Sequence, residues 1–329
     1  LRRFLIKRSF SAVLTLFAVS VLTFLMFFVL PRDPVTAMCP KNCDPLRLDR
    51  VRQELGLSDP KIEQYLGYMK GIFVGRDLGS AQGGHCNAPC LGYSYVNNEP
   101  VSQTIARVLP VTLSIVIPAA ILWLNLGVGL GMVSALRPGT WLDRLAIGFS
   151  LTGASLQLYF VGGVLLLVFT YQLGLLPVPR YTPLLDNPFQ WASGLVLAWV
   201  ALAFLFSAIY ARLSRAQLLE TLSEDFIRTA RAKGLPRAQV YGRHALRAAV
   251  TPLVTIAGLD IGAALGGTVI TETTFGLQGL GRTAVDAVRA GDLPTIMATV
   301  LVAAFFIVMS NLAVDLLYAA IDPRVRFDS

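Results

Sequence analysis

The 329-residue chain is 54% hydrophobic and only 15% charged, with a mean hydropathy of +0.61. That leaves too little polar surface to solvate a globule of this size, which excludes a soluble domain and places the chain in a lipid bilayer. Its 28 Lys and Arg against 20 Asp and Glu give a net charge of +8, which membrane topology explains without a nucleic-acid partner. A bilayer-crossing helix needs about 20 mostly apolar residues. Six runs qualify: 10–30, 109–136, 145–173, 191–211, 253–271 and 295–320. The expected fold is an all-α membrane protein with six transmembrane helices.

The first run is longer than a signal-peptide core and lacks a small-residue cleavage site after it, so it is expected to stay as a membrane helix. Residues 31–108 then form a long segment of balanced charge, read as a small extracytoplasmic cap with two short amphipathic helices at 51–57 and 61–69. All four cysteines fall in it: Cys39, Cys43, Cys86 and Cys90. An outside, oxidising location favours disulfides, with three pairings open. A zinc site with His85 beside Cys86 is the alternative, although the spacing is not that of a zinc knuckle.

In the second run, Gly127, Gly129 and Gly131 permit close helix packing, and Pro110 and Pro118 are kink candidates. The third is interrupted by Ser155, Gln157 and Tyr159, whose polar groups need partners on other helices or in a cavity. Trp141, Trp191 and Trp199 read as interface or packing aromatics. Asp260 lies near the middle of the fifth run and is a candidate for lining or gating a pathway, because a carboxylate at that depth is costly. Gln157, Tyr159 and Glu272 join it as pathway candidates, Glu272 closing the fifth run before a glycine-bearing re-entrant turn at 275–281. Asp315, in the sixth, is expected to pair with a basic residue at the cytosolic rim.

Orientation follows from Lys and Arg in the short connections. Arg2, Arg3, Lys7 and Arg8 precede the first run, Arg137 and Arg144 follow the second, and Arg324 and Arg326 follow the last. The connection between the fourth and fifth runs adds Arg212, Arg215, Arg228, Arg231, Lys233, Arg237, Arg243 and Arg247. Both termini are therefore expected in the cytosol. Within that connection, Ser223 stands at an N-cap position, Glu224 and Asp225 bring negative charge to the first turn, Gly234 suits a C-cap, and Pro236 suits the first turn of a second helix. Leu222, Phe226, Ile227 and Ala230 recur at helical spacing and form one narrow apolar face, which calls for a protein groove.

The two histidines, His85 and His244, cannot form a metal pair, and neither HExxH, GxSxG nor GxxxxGK[ST] occurs. The chain is thus expected to have no catalytic residue, metal or cofactor of its own, and an intramembrane protease or transferase has no motif behind it. The two cytosolic helices meeting at Gly234 also invite a helix-turn-helix reading, but their apolar faces and their place between membrane spans oppose it.

Taken together, several stretches resemble the permease subunit of ATP-binding-cassette importers of the dipeptide/oligopeptide/nickel branch, over nearly the whole chain. The strongest is Asp225-Phe226-Ile227-Arg228-Thr229-Ala230-Arg231-Ala232-Lys233-Gly234-Leu235, followed by His244, Leu246, Arg247 and Pro252, similar to that branch's "EAA" loop. Pro31-Arg32-Asp33-Pro34, Gly75-Arg76-Asp77-Leu78-Gly79-Ser80, Leu109-Pro110-Val111-Thr112-Leu113, Glu272-Thr273-Thr274-Phe275, Gly279-Leu280-Gly281 and Asp315-Leu316-Leu317-Tyr318 complete the pattern. Gln157 and Gln278 stand where that family commonly has proline.

The resemblance implies a type I importer permease fold divided as 1–30, 31–108 and 109–329, with a coupling loop at 212–252. It implies that Glu224, Asp225, Phe226, Ile227, Arg228, Thr229, Ala230, Lys233 and Gly234 form the coupling helix. Phe226, Ile227 and Ala230 would face the ATPase groove, Arg228 and Lys233 would make polar contacts, and Gly234 would set the turn. The implied partners are a homologous second permease, two ATPase subunits or one fused pair, an extracytoplasmic substrate-binding protein, membrane lipid and a peptide substrate. ATP and Mg would be held by the partner subunits. The implied location is a bacterial cytoplasmic membrane. Nickel chelates, glutathione and opines share the branch. A membrane scaffold or sensor, and an ion-coupled transporter using Asp260, are the rival readings.

Overall fold

The computed structural model describes residues 2–26, 60–77, 85–94 and 96–321. Five helices are long and apolar enough to cross a membrane, and a bent pair makes a sixth crossing if counted as one. The first is α1 (Arg2–Phe24). After it, α2 (Lys61–Val74) covers the described one of the two expected cap helices; the other, at 51–57, lies outside the described residues. This segment also contains short strands that the all-helical expectation did not include. β1 (Arg76–Asp77) pairs antiparallel with β2 (His85–Cys86), and β3 (Tyr93–Ser94) with β4 (Glu99–Pro100).

Two helices of 36 residues each, α3 (Val101–Leu136) and α6 (Pro188–Ser223), form the centre of the molecule. Where they cross, α3 presents Gly127 and Gly131, four residues apart on one face. A Cβ on Gly127 would stand 2.6 Å from Tyr210 Cβ and 2.9 Å from the Ser207 carbonyl, and one on Gly131 would collide with Ser214 Oγ and the Ala211 carbonyl. Gly129 points away with nothing near it, so two of the three glycines carry the packing. Beside the glycines, Trp123 is fully buried and stacks on Phe206 with ring centroids 4.6 Å apart. Both Pro110 and Pro118 lie inside α3.

The third apolar run is not one helix. α4 (Trp141–Ser155) stops, Leu156 and Gln157 are extended, and α5 (Leu158–Leu165) continues into π-helical turns at Leu166–Gln172, bent by 103° from α4. No proline causes the break. The new direction brings Gly162 against Thr274 Cγ2 and the Phe275 ring, at 2.8 and 3.3 Å from a notional Cβ. Packing elsewhere in the chain therefore sets the bend.

Asn187 caps the start of α6, its Oδ1 accepting from Gln190 N at 3.0 Å, with Pro188 in the first turn. At 1.5 Å per residue α6 is about 54 Å long, well over the roughly 30 Å hydrocarbon thickness. It is longer than one crossing needs, and its last turns, which carry Arg212, Arg215 and Glu220, deliver α7 (Asp225–Ala232). A turn at Arg237–Gln239 and π-helical turns at Val240–Ala245 then lead into α8 (Leu246–Leu265). α9 (Val269–Thr274), α10 (Leu280–Ala290) and the long α11 (Leu293–Ile321) complete the chain. α8 packs on α11 through Gly262, whose notional Cβ lies 2.8 Å from Ser310 Cβ. α1 also packs on α11, where Arg8 Nη1 meets Asp315 Oδ2 at 3.0 Å, the rim pair expected for Asp315.

The described residues between α1 and α3 are tied to the bundle by polar contacts. Tyr65 OH and Ser20 Oγ are 2.7 Å apart between α2 and α1, and Ser94 Oγ donates to Asp292 Oδ2 at 2.5 Å beside the start of α11. A disulfide joins Cys86 and Cys90, with Cα atoms 5.7 Å apart; Cys39 and Cys43 lie outside the described residues. The pairing within 86–90 decides one of the open connectivities, and Cys86 belongs to a covalent bridge instead of a zinc site with His85.

The α3–α6 crossing generates a test. Gly131→Ala is expected to destabilise the detergent-purified protein by about 1–3 kcal/mol, the usual cost of overpacking, whereas Gly129→Ala stays within about 0.5 kcal/mol. Thermal unfolding of both variants measures the difference.

Candidate functional site

The basic connection is built from α6 outward. Ser223 is the last residue of α6 and not an N-cap: its hydroxyl donates back to the Glu220 carbonyl at 2.7 Å. Glu224 is the capping residue, extended at φ −67° and ψ 148°, its carbonyl accepting from Ile227 N at 3.1 Å and Arg228 N at 3.3 Å. One extended residue thus separates α6 from α7 and turns the chain sharply.

α7 has two faces of different purpose. Ile227 is fully buried and Ala230 nearly so, packed within this chain among Ala135 of α3, Leu218 of α6, Val240, Ala245 and Ala249 of α8. These two residues were expected to face a partner's groove, and the burial overturns that: the apolar stripe fastens α7 to its own bundle. The outward face carries Glu224, Asp225, Phe226, Arg228, Thr229 and Lys233, with Phe226 46% exposed as its one large apolar side chain. Arg228 Nη1 lies 3.5 Å from Asp225 Oδ1 on that face, an ion pair too exposed to add much stability.

The end of α7 matches the residue types that predicted it. Gly234 has φ +74°, its N–H donates to the Arg231 carbonyl at 3.0 Å, and Leu235 N–H donates to the Ala230 carbonyl at 3.4 Å. This is the Schellman arrangement, closed by Leu235 packing on the same apolar cluster. Pro236 sits just before the next turn, where its missing N–H costs nothing and its carbonyl accepts from Gln239 N at 2.9 Å.

The pathway candidates separate. Asp260, half-buried, accepts from the fully buried Tyr210 OH at 2.6 Å, so its carboxylate is held from α6. Gln157 and Tyr159 lie exposed at the α4–α5 break, and neither side chain has a hydrogen-bond partner among the described residues. Glu272 is fully buried. Its carboxylate accepts from Thr112 Oγ1 at 2.8 Å, Thr268 Oγ1 at 3.3 Å and Arg282 N at 2.7 Å. Thr112 Oγ1 in turn accepts from Leu280 N at 2.8 Å. A side chain on Gly279 would strike this carboxylate, and Gly267, at φ +141°, comes close to Gly281 Cα. Glu272 is therefore the knot that fixes the 275–281 turn against α3.

One cluster was invisible as a site in the sequence. Asp143 of α4 accepts from Arg215 Nε at 2.8 Å and Nη2 at 3.1 Å, from Ser134 Oγ and from Gly139 N at 2.9 Å. It binds α3, α4 and α6 near the end of the bundle that carries α7. Arg215 counted only as a topology charge, and nothing in the spacing of Asp143 and Arg215 shows that they meet. On the cap side, Arg107, and next Thr104, hydrogen-bond Glu99 and hold its carboxyl below its ordinary pKa. Among the described residues no three His, Cys, Asp or Glu side chains converge as a metal site.

Residues 127–327 match the family model described as binding-protein-dependent transport system inner membrane component, and residues 1–116 match the model of the N-terminal region of such membrane components. The chain belongs to this family. Among similar proteins, a peptide transport system permease protein, so named, of Brucella abortus is 35% identical over 324 residues, 98% of this chain and 99% of its own. A counterpart in Brucella suis is 34% identical over the same coverage. The glutathione transport system permease protein of Escherichia coli K12 is 36% identical over 324 residues, again 98% and 99%. This binding-protein-dependent permease is thus a multi-pass membrane protein of an ATP-binding-cassette importer.

For the permease, Glu272→Ala strands two buried hydroxyls and a backbone N–H. Each orphaned donor costs roughly 1–3 kcal/mol, so thermal unfolding in detergent is expected to fall by about 5 °C or more, with Glu272→Gln affected less.

Proposed function

We propose that this permease moves peptides inward, with α7 as the element through which separate ATPase subunits drive it. The observation that carries this reading is the division of α7 between an inward stripe locked to α3, α6 and α8 and an outward charged face around Phe226. A helix attached this way transmits displacement: an ATPase that grips Phe226, Arg228 and Lys233 and shifts α7 pulls on three membrane helices at once. Alternating access then needs only rigid-body rocking, with binding energy passed by contact. In this scheme the chain performs no chemistry, and ATP and Mg are bound by its partners.

The remaining parts of the scheme follow the same logic. The scheme counts α4–α5 as one of six crossings, with both termini and α7 in the cytosol, as the basic connections suggest, and residues 31–108 outside as a cap on which a substrate-binding protein lands. A homologous second permease completes the path. Peptide cargo is supported by the names of the Brucella relatives, and the glutathione permease fits the same class, glutathione being itself a small peptide.

ATPase activity is to be measured in lipid nanodiscs for this chain co-purified with its neighbouring gene products, with and without peptide-loaded binding protein. Stimulation is expected, and double charge reversal Arg228→Glu/Lys233→Glu is expected to remove at least nine-tenths of it while leaving the permease folded. Failure to recruit any ATPase would end this reading. Separately, Gly234→Val is expected to uncouple ATP hydrolysis from uptake, because a β-branched residue is strained at φ +74°; wild-type transport in that variant would remove Gly234 from the mechanism.

A further inference from the structure

Between α4 and α6, on the side of the molecule that carries α7, lies a groove of about 260 Å³ lined by Ala146, Ile147, Ser150 and Leu151 on one wall and by Ala211, Arg212, Arg215 and Ala216 on the other, with Ser134 at its base. Its lining holds two guanidinium groups and no carboxylate. The two are not equivalent. Arg215 is committed to Asp143. Arg212 is exposed, and its side chain makes no ion pair or hydrogen bond among the described residues. Asp143 balances one charge and leaves the other uncompensated.

We propose that this groove holds an anionic phospholipid of the leaflet on the α7 side, its phosphodiester on Arg212 and one acyl chain along Ile147 and Leu151. Depth supports the placement. Trp141, 67% exposed at the start of α4, belongs at headgroup level. Ile147 and Leu151 lie roughly 9 and 15 Å further along the helix, in the acyl region. Arg212 sits about one turn deeper along α6 than Arg215, or roughly 4.5 Å. A lone cation at that depth is costly unless it is paired, and an anion whose own tail is apolar meets both walls. Ser150 supplies a second polar contact: the residue is 6% exposed, and its hydroxyl has no partner among the described residues. A basic pocket between membrane helices is the general form of an anionic-lipid site. The inference rests on the bilayer placement of the spans and on neither the cargo nor the ATPase.

The test is native mass spectrometry of the full chain in detergent with equal phosphatidylglycerol and phosphatidylcholine added. Preferential retention of phosphatidylglycerol is expected. Arg212→Gln should lower it about fivefold, the effect of one basic residue at an anionic surface, and Arg212→Lys should keep most of it. Leu151→Trp, which fills the groove and leaves both arginines, should lower retention of both lipids and carries the test if Arg212→Gln does not purify. Equal retention of the two lipids by the unaltered chain, or undiminished phosphatidylglycerol in both Arg212→Gln and Leu151→Trp, overturns the proposal. So does loss of a co-purifying membrane subunit on Arg212→Gln with lipid retention unchanged, since a protein group would then be covering the cation.

Discussion

Helices in a bilayer gain nothing from hiding apolar surface from one another, because lipid tails are as apolar as leucine; they associate where their backbones can come close. In this permease that closeness is concentrated at Gly127 and Gly131, where α3 lies directly on Ser207–Ser214 of α6. The rest of the molecule is arranged around this crossing. It sets Trp123 on Phe206, gives Tyr210 its buried position from which it holds Asp260, and aligns the ends of α3 and α6 so that α7 finds a surface to bind.

Close contact fixes separation but not register, and a few carboxylates, three of them buried and Asp315 partly exposed, supply the register. Glu272 joins α3 to the turn before α10, Asp143 joins α3, α4 and α6, Asp292 fastens the cap to α11, and Asp315 holds α1. Each is a carboxylate met by several donors or by a guanidinium. Where the local dielectric is low such contacts are strong when complete and costly when broken, so they select one arrangement over its neighbours. The same logic leaves Arg212 conspicuous, as a cation that no carboxylate among the described residues answers.

The two faces of α7 give the fold its mechanical meaning. A helix with its apolar stripe turned to a partner would follow that partner and leave its own bundle behind. Here the stripe is spent internally, on Ile227 and Ala230, and the outward face offers charge and a single phenyl ring. Force applied there reaches the membrane helices through packed side chains, which resist compression. The Schellman closure at Gly234 then sends the chain directly into the turns leading to α8, so both ends of α7 are attached to spans.

Periodicity and local residue chemistry determined a good deal. Runs of apolar residues marked the five helices long enough to cross a membrane and the bent pair between them, because the bilayer demands length and hydrophobicity that composition reports directly. Gly234 and Pro236 foretold a helix end and a restart, since caps depend on the residues at hand and little else. Asp315 could be expected to find a rim cation, though not to find Arg8. What local sequence could not contain was decided in three dimensions: the 103° break after Ser155 without a proline, the inward turn of Ile227 and Ala230, the enclosure of Glu272, and the meeting of Asp143 with Arg215. Each depends on a partner far along the chain, and amphipathic spacing says that a helix has an apolar face without saying which surface will cover it.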